Sequence, residues 1–319
     1  MLKDIKVVFM GTPEFSTDVL KMLIANTKVI GVITQPDKLV GRKKELVFSP
    51  VKKIALENNI KVFQPVKIRN EYEDILAMKP DIIITAAYGQ IIPKAILDFP
   101  KYGCINVHGS LLPKLRGGAP IQHAIIDGYK KTGITIMYMD VGMDSGDIIS
   151  QEEIEILETD TYKSLHDKLK VLGSYLLLKT LPSIINGTNS RIKQNPNEIT
   201  FGYNIKREEE LLNFNDTKEN LYNKIRGLNE EPGSYFLLDN KIIKVYASEK
   251  VEDLSFDNKE NGEIVLVDKK SFSIKTKNGL LKILEIKPEG KNKMPVANFL
   301  NGNKNLLGKI VNEGVIYER

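Results

Sequence analysis

In the stretch Gly103-Cys104-Ile105-Asn106-Val107-His108-Gly109-Ser110-Leu111-Leu112-Pro113, an amide and an imidazole stand two residues apart. They close a β-branched run and precede a loop punctuated by glycine and proline. Residues i and i+2 of a strand project from the same face, so Asn106 and His108 aim at one point. In an open α/β sheet the carboxyl ends of the strands are where ligands bind. An amide donor and an imidazolium directed at one spot stabilise a developing oxyanion, which is what acyl transfer requires. Taken singly, each has a plainer reading: an Asn caps turns, and a His at a strand end is usually a structural residue. The pair, followed by that loop, points to a site.

A second loop, Met139-Asp140-Val141-Gly142-Met143-Asp144-Ser145-Gly146-Asp147, offers three carboxylates just after another strand-like run. Glycines at 142 and 146 flank Asp144 and permit backbone conformations that present one carboxylate into a crevice. A carboxylate near His108 favours its charged form and holds its orientation.

Other chemistries find little support. There is no GxGxxG, and Gly11-Thr12-Pro13 lacks the glycine spacing that brings a helix N-terminus against a pyrophosphate. The stretch Gly302 to Lys309 has its second glycine one place late for a phosphate loop, and Ile310 follows Lys309. The three histidines, His108, His123 and His166, show no HxxxH or HExxH spacing, so no metal is expected. Cys104, the single cysteine, makes no internal disulfide, and four residues of strand separate it from His108 by roughly 13 Å, too far for a nucleophile and its base.

The elements that must position these residues are legible as alternating short β-branched runs and amphipathic segments. Strands are expected at Ile5 to Met10, Val29 to Thr34, Asp81 to Ala86, Cys104 to His108 and Ile134 to Met139. The intervening segments, Phe15 to Ile24, Pro50 to Asn58, Tyr72 to Met78 and Pro120 to Asp127, have the length of crossover helices. This alternation predicts a doubly wound parallel α/β sheet. An extended piece, Ile148 to Ile156, precedes one long helix, Tyr162 to Ile185, with leucines at helical spacing. A turn-rich linker is expected over 187–206, then a helix at Asp216 to Arg226. Five short strand-like runs follow, at 234–238, 242–247, 262–267, 272–276 and 280–286. Their close spacing fits a small OB-like β-barrel.

The 319 residues carry 46 Lys and Arg against 41 Asp and Glu, a net charge of +5. With 42% hydrophobic residues the chain is an ordinary globular one of two-domain length. The charge is concentrated. Residues 269–309 hold ten lysines against two glutamates, and residues 35–53 hold six basic residues against two acidic ones. Two basic patches on separate domains suggest a long polyanion, although either alone also reads as a solvated face. The N-terminus is too short and charged before its first strand to be a signal segment, and no apolar run reaches membrane-spanning length, so a cytoplasmic protein without a membrane partner is expected.

The combination Asn106-Val107-His108-Gly109-Ser110-Leu111-Leu112-Pro113, Arg116-Gly117-Gly118-Ala119-Pro120 and Met139 to Asp147 resembles the folate-dependent formyltransferases. The opening Phe9-Met10-Gly11-Thr12-Pro13-Glu14-Phe15, the Gln35-Pro36-Asp37 turn and the C-terminal extension resemble the branch of that family whose acceptor is the methionyl ester of initiator tRNA. The glycinamide ribonucleotide branch stops near where this chain's linker begins.

The resemblance implies a Rossmann-like formyltransferase domain over 1–186, the linker at 187–206 and an OB-like tRNA-binding domain over 207–319. It implies Asn106, His108 and Asp144 as catalytic residues, and Ser110, Leu111, Leu112 and Pro113 as the lining of a pocket for 10-formyltetrahydrofolate. It implies tRNA contacts from Arg42, Lys43 and Lys44 in the first patch and Lys287 in the second. The implied reaction, transfer of a formyl group to the α-amine of methionyl initiator tRNA, needs no metal, no DNA and no second copy, so a monomer is expected. Two other readings stay open: a formyltransferase acting on an amino-sugar nucleotide, and a non-catalytic tRNA-binding protein that keeps a folate fold.

Overall fold

The computed structural model describes residues 2–41 and 45–315. Contacts divide the chain into two compact units, one of residues 1–120, 131–155 and 165–203, the other of residues 121–130, 156–164 and 204–319. The cut therefore differs from a simple break at 187–206. Residues 165–203 belong to the first unit, where Ile192 pairs with Ile148 and Phe201 with Arg116. Two short pieces of the first half join the second unit.

In chain order the elements are β1 (Lys6–Gly11), α1 (Thr17–Asn26), β2 (Lys28–Ile33), β3 (Lys38–Val40), β4 (Glu45–Val47), α2 (Pro50–Glu57), β5 (Val62–Phe63), α3 (Glu73–Ala77), β6 (Ile82–Ala86), α4 (Lys94–Leu97), β7 (Cys104–His108), α5 (Pro120–Ile126), β8 (Lys131–Tyr138), β9 (Ile148–Glu155) and α6 (Tyr162–Asn186). There follow α7 (Lys218–Gly227), β10 (Ser234–Leu238), β11 (Lys241–Val251), β12 (Ile264–Val267), β13 (Phe272–Thr276), β14 (Gly279–Pro288), β15 (Met294–Pro295) and α8 (Val296–Leu300).

The first unit is built on a seven-stranded sheet in the order β5-β2-β1-β6-β7-β8-β9. Strands β5 to β7 are parallel, as the crossover pattern predicts. The last two are not: β8 runs antiparallel to β7, and β9 antiparallel to β8. The fold is thus mostly parallel, with an antiparallel edge that the β-branched runs alone do not distinguish. Strands β1 and β6 are buried almost throughout, which is why they read as continuous apolar runs rather than alternating ones. A short antiparallel pair, β3 and β4, stands off this sheet.

The second unit holds an antiparallel sheet in the order β10-β11-β14-β13-β12, with β15 on β14, a small β-barrel-like arrangement. The eleven-residue β11 shifts register between Val245 and Ser248, an irregularity that lets a strand bend. Phe214, Phe236 and Phe272 fill the core edge-to-face, with ring centroids 6.1 and 6.4 Å apart. Helix α7 lies on residues 121–130, where Gly227 packs so closely that an added Cβ would come 2.7 Å from Ile126. The buried Arg226 donates to the carbonyls of Leu157 and Asp160, which draws 156–164 into this unit.

Phe236→Ala removes the middle ring of that fully buried cluster and is expected to lower the unfolding free energy by about 3–5 kcal/mol in urea titrations. Cys104 in β7 is 2% exposed, and burial pushes its thiol up to about 12. In the folded protein it is expected to react with a thiol reagent at least about a thousandfold more slowly than after denaturation, since only the thiolate attacks.

Candidate active site

Strand β7 ends at His108, and its register places Asn106 beside Thr85 of β6 and His108 beside Thr135 of β8. Thr85 is the one polar position of β6, and both threonines orient the site. The Thr85 hydroxyl donates to Asn106 Oδ1 at 2.8 Å. The other end of the amide, Nδ2, is turned to Asp144 Oδ1, a group that only accepts, and this sets the amide's orientation while Thr85 holds Oδ1. Thr135 donates to the Ser110 carbonyl at 2.7 Å and accepts the Leu112 N–H at 3.1 Å. Gln151 of β9 donates to both the Thr135 hydroxyl and the Leu112 carbonyl, at 2.8 Å each. The loop after His108 is thereby anchored to the antiparallel edge of the sheet.

His108 is 6% exposed. Its Nε2 lies 3.0 Å from the Leu115 carbonyl oxygen. A carbonyl only accepts, so Nε2 carries the hydrogen, and Nδ1 is the ring nitrogen turned to the crevice. There it meets Asp144, whose Oδ1 is 3.7 Å from His108 Nδ1 and 3.5 Å from Asn106 Nδ2. The other carboxylate oxygen accepts the Gly117 N–H at 2.8 Å.

The loop bearing Asp144 returns over the face of β7 from which Asn106 and His108 project. The spacing of glycines 142 and 146 predicts that they supply its unusual backbone. Instead the left-handed residue is Asp144 itself, at φ 47°, and neither glycine has a positive φ. Gly146 is required for close approach: a Cβ there would lie 2.0 Å from the Tyr138 carbonyl oxygen. Asp140 accepts the Val141 N–H, and Asp147 pairs with Arg191, so the remaining two carboxylates of the loop serve local structure.

The expected pocket residues divide. Ser110 is fully buried, and its hydroxyl donates to the Lys114 carbonyl at 2.6 Å, so it shapes the loop from inside. Leu112 is buried against Met137 and Ile148. Leu111 and Pro113 are half-buried and are the two with surface to offer a ligand.

Arg42, Lys43 and Lys44 lie outside the described residues. Lys52, counted in the same basic segment, is paired to Asp37 at 2.5 Å, and that ammonium holds the Asp37 carboxyl below the usual carboxylate range. The second basic patch is thinner than its lysine count suggests. Lys275 is 3% exposed, because both faces of β13 are covered, and it pairs with Asp257. Lys282, Lys293 and Lys309 pair with Glu249, with Glu230 and Glu285, and with Asp239. Lys287 is exposed on β14, directly opposite Lys244 of β11, which is itself opposite Tyr235 of β10.

Sequence reasoning missed the residues that hold the trio: Thr85, Leu115 through its carbonyl, Gly117 through its N–H, and Gln194. For Thr85 the signal was present, one hydroxyl in Ile82-Ile83-Ile84-Thr85-Ala86. The others act through backbone groups or from a segment without periodicity.

The sequence model of the formyl transferase family matches residues 5–181, and that of the formyl transferase C-terminal domain matches residues 204–304. Methionyl-tRNA formyltransferase of Bacillus cereus (strain B4264) is 52% identical over 313 residues, 97% of this chain and 99% of its own. The enzyme of that name from Bacillus thuringiensis subsp. konkukian (strain 97-27) is likewise 52% identical over the same share. Among solved structures, the N-formyltransferase of Helicobacter canadensis, complexed with folinic acid and dTDP-3-aminofucose, superposes with a TM-score of 0.67 at 23% identity, covering 91% of this chain and all of its own. The sugar 3N-formyl transferase WlaRD superposes at 0.66 and 21% identity, covering 90% of this chain and 99% of its own. These two likenesses show the fold. With both domain models matched in order and half its residues identical to bacterial relatives along nearly the whole length, the chain belongs to the methionyl-tRNA formyltransferase family.

Proposed function

We propose that the protein transfers the formyl group of 10-formyltetrahydrofolate to the α-amino group of methionyl initiator tRNA. The observation that carries this reading is the meeting of Asn106, His108 and Asp144, drawn from a strand and a distant loop to within 3.7 Å, in a chain of this family.

In this reading the neutral α-amine attacks the formyl carbon. Free α-amines have pKa values of about 7.7–8.0, so a useful fraction is already neutral at physiological pH. The carbonyl electrons move onto oxygen, and the tetrahedral intermediate places its charge where Asn106 Nδ2 and protonated His108 Nδ1 donate. Asp144 stabilises the imidazolium and takes part in moving the proton that the amine loses. When the intermediate collapses, the carbon–nitrogen bond to the folate breaks and that nitrogen regains a proton. The products are the formylated amine and tetrahydrofolate. Leu111 and Pro113 line the folate side of the crevice.

The division of labour follows the two matched domains: residues 1–186 for folate and catalysis, 207–319 for tRNA, with 187–206 between them. Support for the tRNA face comes from Lys287, exposed on β14, whereas Lys244 opposite it already donates to the Pro232 carbonyl. Lys287 therefore serves as a sequence-independent contact, with Arg42, Lys43 and Lys44 as contacts near the acceptor end. The enzyme acts as a monomer in the cytoplasm, where charged initiator tRNA is found.

The deciding assay is transfer of labelled formyl with methionyl initiator tRNA, charged elongator tRNA and an amino-sugar nucleotide in competition. Label is expected on methionyl initiator tRNA alone, and label on the sugar nucleotide would overturn the acceptor. Asn106→Ala, His108→Ala and Asp144→Ala are each expected to lower kcat by about 10²–10³-fold or more without unfolding the protein, as loss of an oxyanion donor or its support does. Parent-like turnover in all three would sink the site. Thr85→Val keeps shape but frees the Asn106 amide to rotate. It is expected to cost roughly tenfold to a hundredfold in kcat, with Thr85→Ser restoring most of it.

A further inference from the structure

Resting on that reading of the site, we infer that Gln194 is a positioning residue for formyl transfer: its amide ties together the two loops that place the Asp144 carboxylate. The residue lies in the strap that follows α6. Ile192 exchanges two backbone bonds with Ile148, at 2.8 and 2.9 Å, and further on Arg116 N–H donates to Thr200 O while Gly202 N–H donates to Arg116 O. The strap is therefore pinned on both sides of Gln194.

The side chain uses its full hydrogen-bonding capacity. Nε2 donates to the carbonyl oxygens of Asp144 and Gly146, both at 2.8 Å. Oε1 accepts from Arg116 Nε at 3.0 Å and Arg116 Nη2 at 2.8 Å. The partners dictate the orientation, since a guanidinium has only donors and carbonyls only acceptors. They also dictate the residue type. Glu at this length lacks the two donors, Lys and Arg lack the acceptor, and an apolar residue lacks both.

What these four bonds hold is specific to the chemistry. Arg116 precedes Gly117, whose N–H fixes Asp144 Oδ2, so Gln194 restrains the donor end of that bond through Arg116. It restrains the acceptor end through the Asp144 main chain, which sits in the left-handed region that a non-glycine residue enters only when its surroundings require it. Asp144 Oδ1 reaches Asn106 and His108 at 3.5 and 3.7 Å, the outer limit of direct contact. A drift of about 1 Å admits water between them, and misplacement on that scale costs on the order of a hundredfold in rate.

The test is steady-state and single-turnover formyl transfer to methionyl initiator tRNA by Gln194→Met and Gln194→Glu, with thermal unfolding alongside. Both variants are expected to lose about 10- to 100-fold in kcat, with KM for each substrate within about threefold of the parent and the unfolding midpoint within a few degrees. Combined with Asp144→Asn, Gln194→Met is expected to add less than its own loss, because the group it positions is already disabled. A Gln194→Glu enzyme with parent kcat would overturn the inference, since pairing to Arg116 would then suffice. So would a loss confined to KM, or fully multiplicative losses in the double variant. Parent-like turnover by Asp144→Ala in the same assay would instead bring down the site reading beneath the inference.

Discussion

The 2.8 Å bond from the Gly117 N–H to the Asp144 carboxylate joins two loops separated by 27 residues, and the polar contacts around the crevice bear on it. A carboxylate largely removed from water must find donors, because an unpaired charge there is costly. This one has a backbone N–H on one oxygen and an amide and an imidazole near the other. Each of those partners is itself fixed: Asn106 by Thr85, His108 by the Leu115 carbonyl, Gly117 by the bridge between Arg116 and the 200–202 strap. Remove the carboxylate and these bonds have no common purpose.

The antiparallel edge of the sheet follows from the same constraint. Strand β8 runs antiparallel to β7 and ends opposite Ile105, near the start of that strand. Reversing β8 brings the chain back along β7, so that the loop from 139 to 147 folds over the face bearing Asn106 and His108. It also puts Thr135 opposite His108, where its hydroxyl satisfies two backbone groups of the loop that follows the histidine. The glycine at 146 is the steric condition for this return, since the loop passes against the Tyr138 carbonyl.

Much of this is legible in the amino-acid sequence. The β-branched runs gave the strands of the parallel part within a residue or two, because strands covered on both faces are apolar throughout and bounded by turn residues. The period-two argument placed Asn106 and His108 together, and the family motif singled out Asp144. What the sequence did not reveal has a physical pattern. Short β5 and the β3–β4 pair contain too few residues for periodicity to register. The reversal of β8 depends on pairing rather than composition. The lysine surplus of 269–309 overstated a surface, because Lys275 is buried and three others are paired. Above all, Gln194 stands in a turn-rich stretch of the kind read as linker, where nothing local marks a residue whose three partner residues lie 48 to 78 positions away.

The distribution of satisfied bonds says where the site is prepared to act. Thr85, Gln194, Gly117 and the Leu115 carbonyl are engaged at 2.8 to 3.0 Å. By contrast, among the described residues Asn106 Nδ2 and His108 Nδ1 meet Asp144 alone, at 3.5 and 3.7 Å. Both are donors when the imidazole is protonated, both face the same crevice, and each retains capacity for a shorter bond. A site whose supporting groups are saturated and whose two working donors are not is pre-organised for charge that appears only during reaction, and it need not reorganise when that charge arrives. In the proposed reaction the attacking amine needs little help to be neutral, which leaves oxyanion stabilisation as the main demand on these residues. The surrounding hydrogen bonds are arranged to leave those two nitrogens, and no others in the trio, available to meet it.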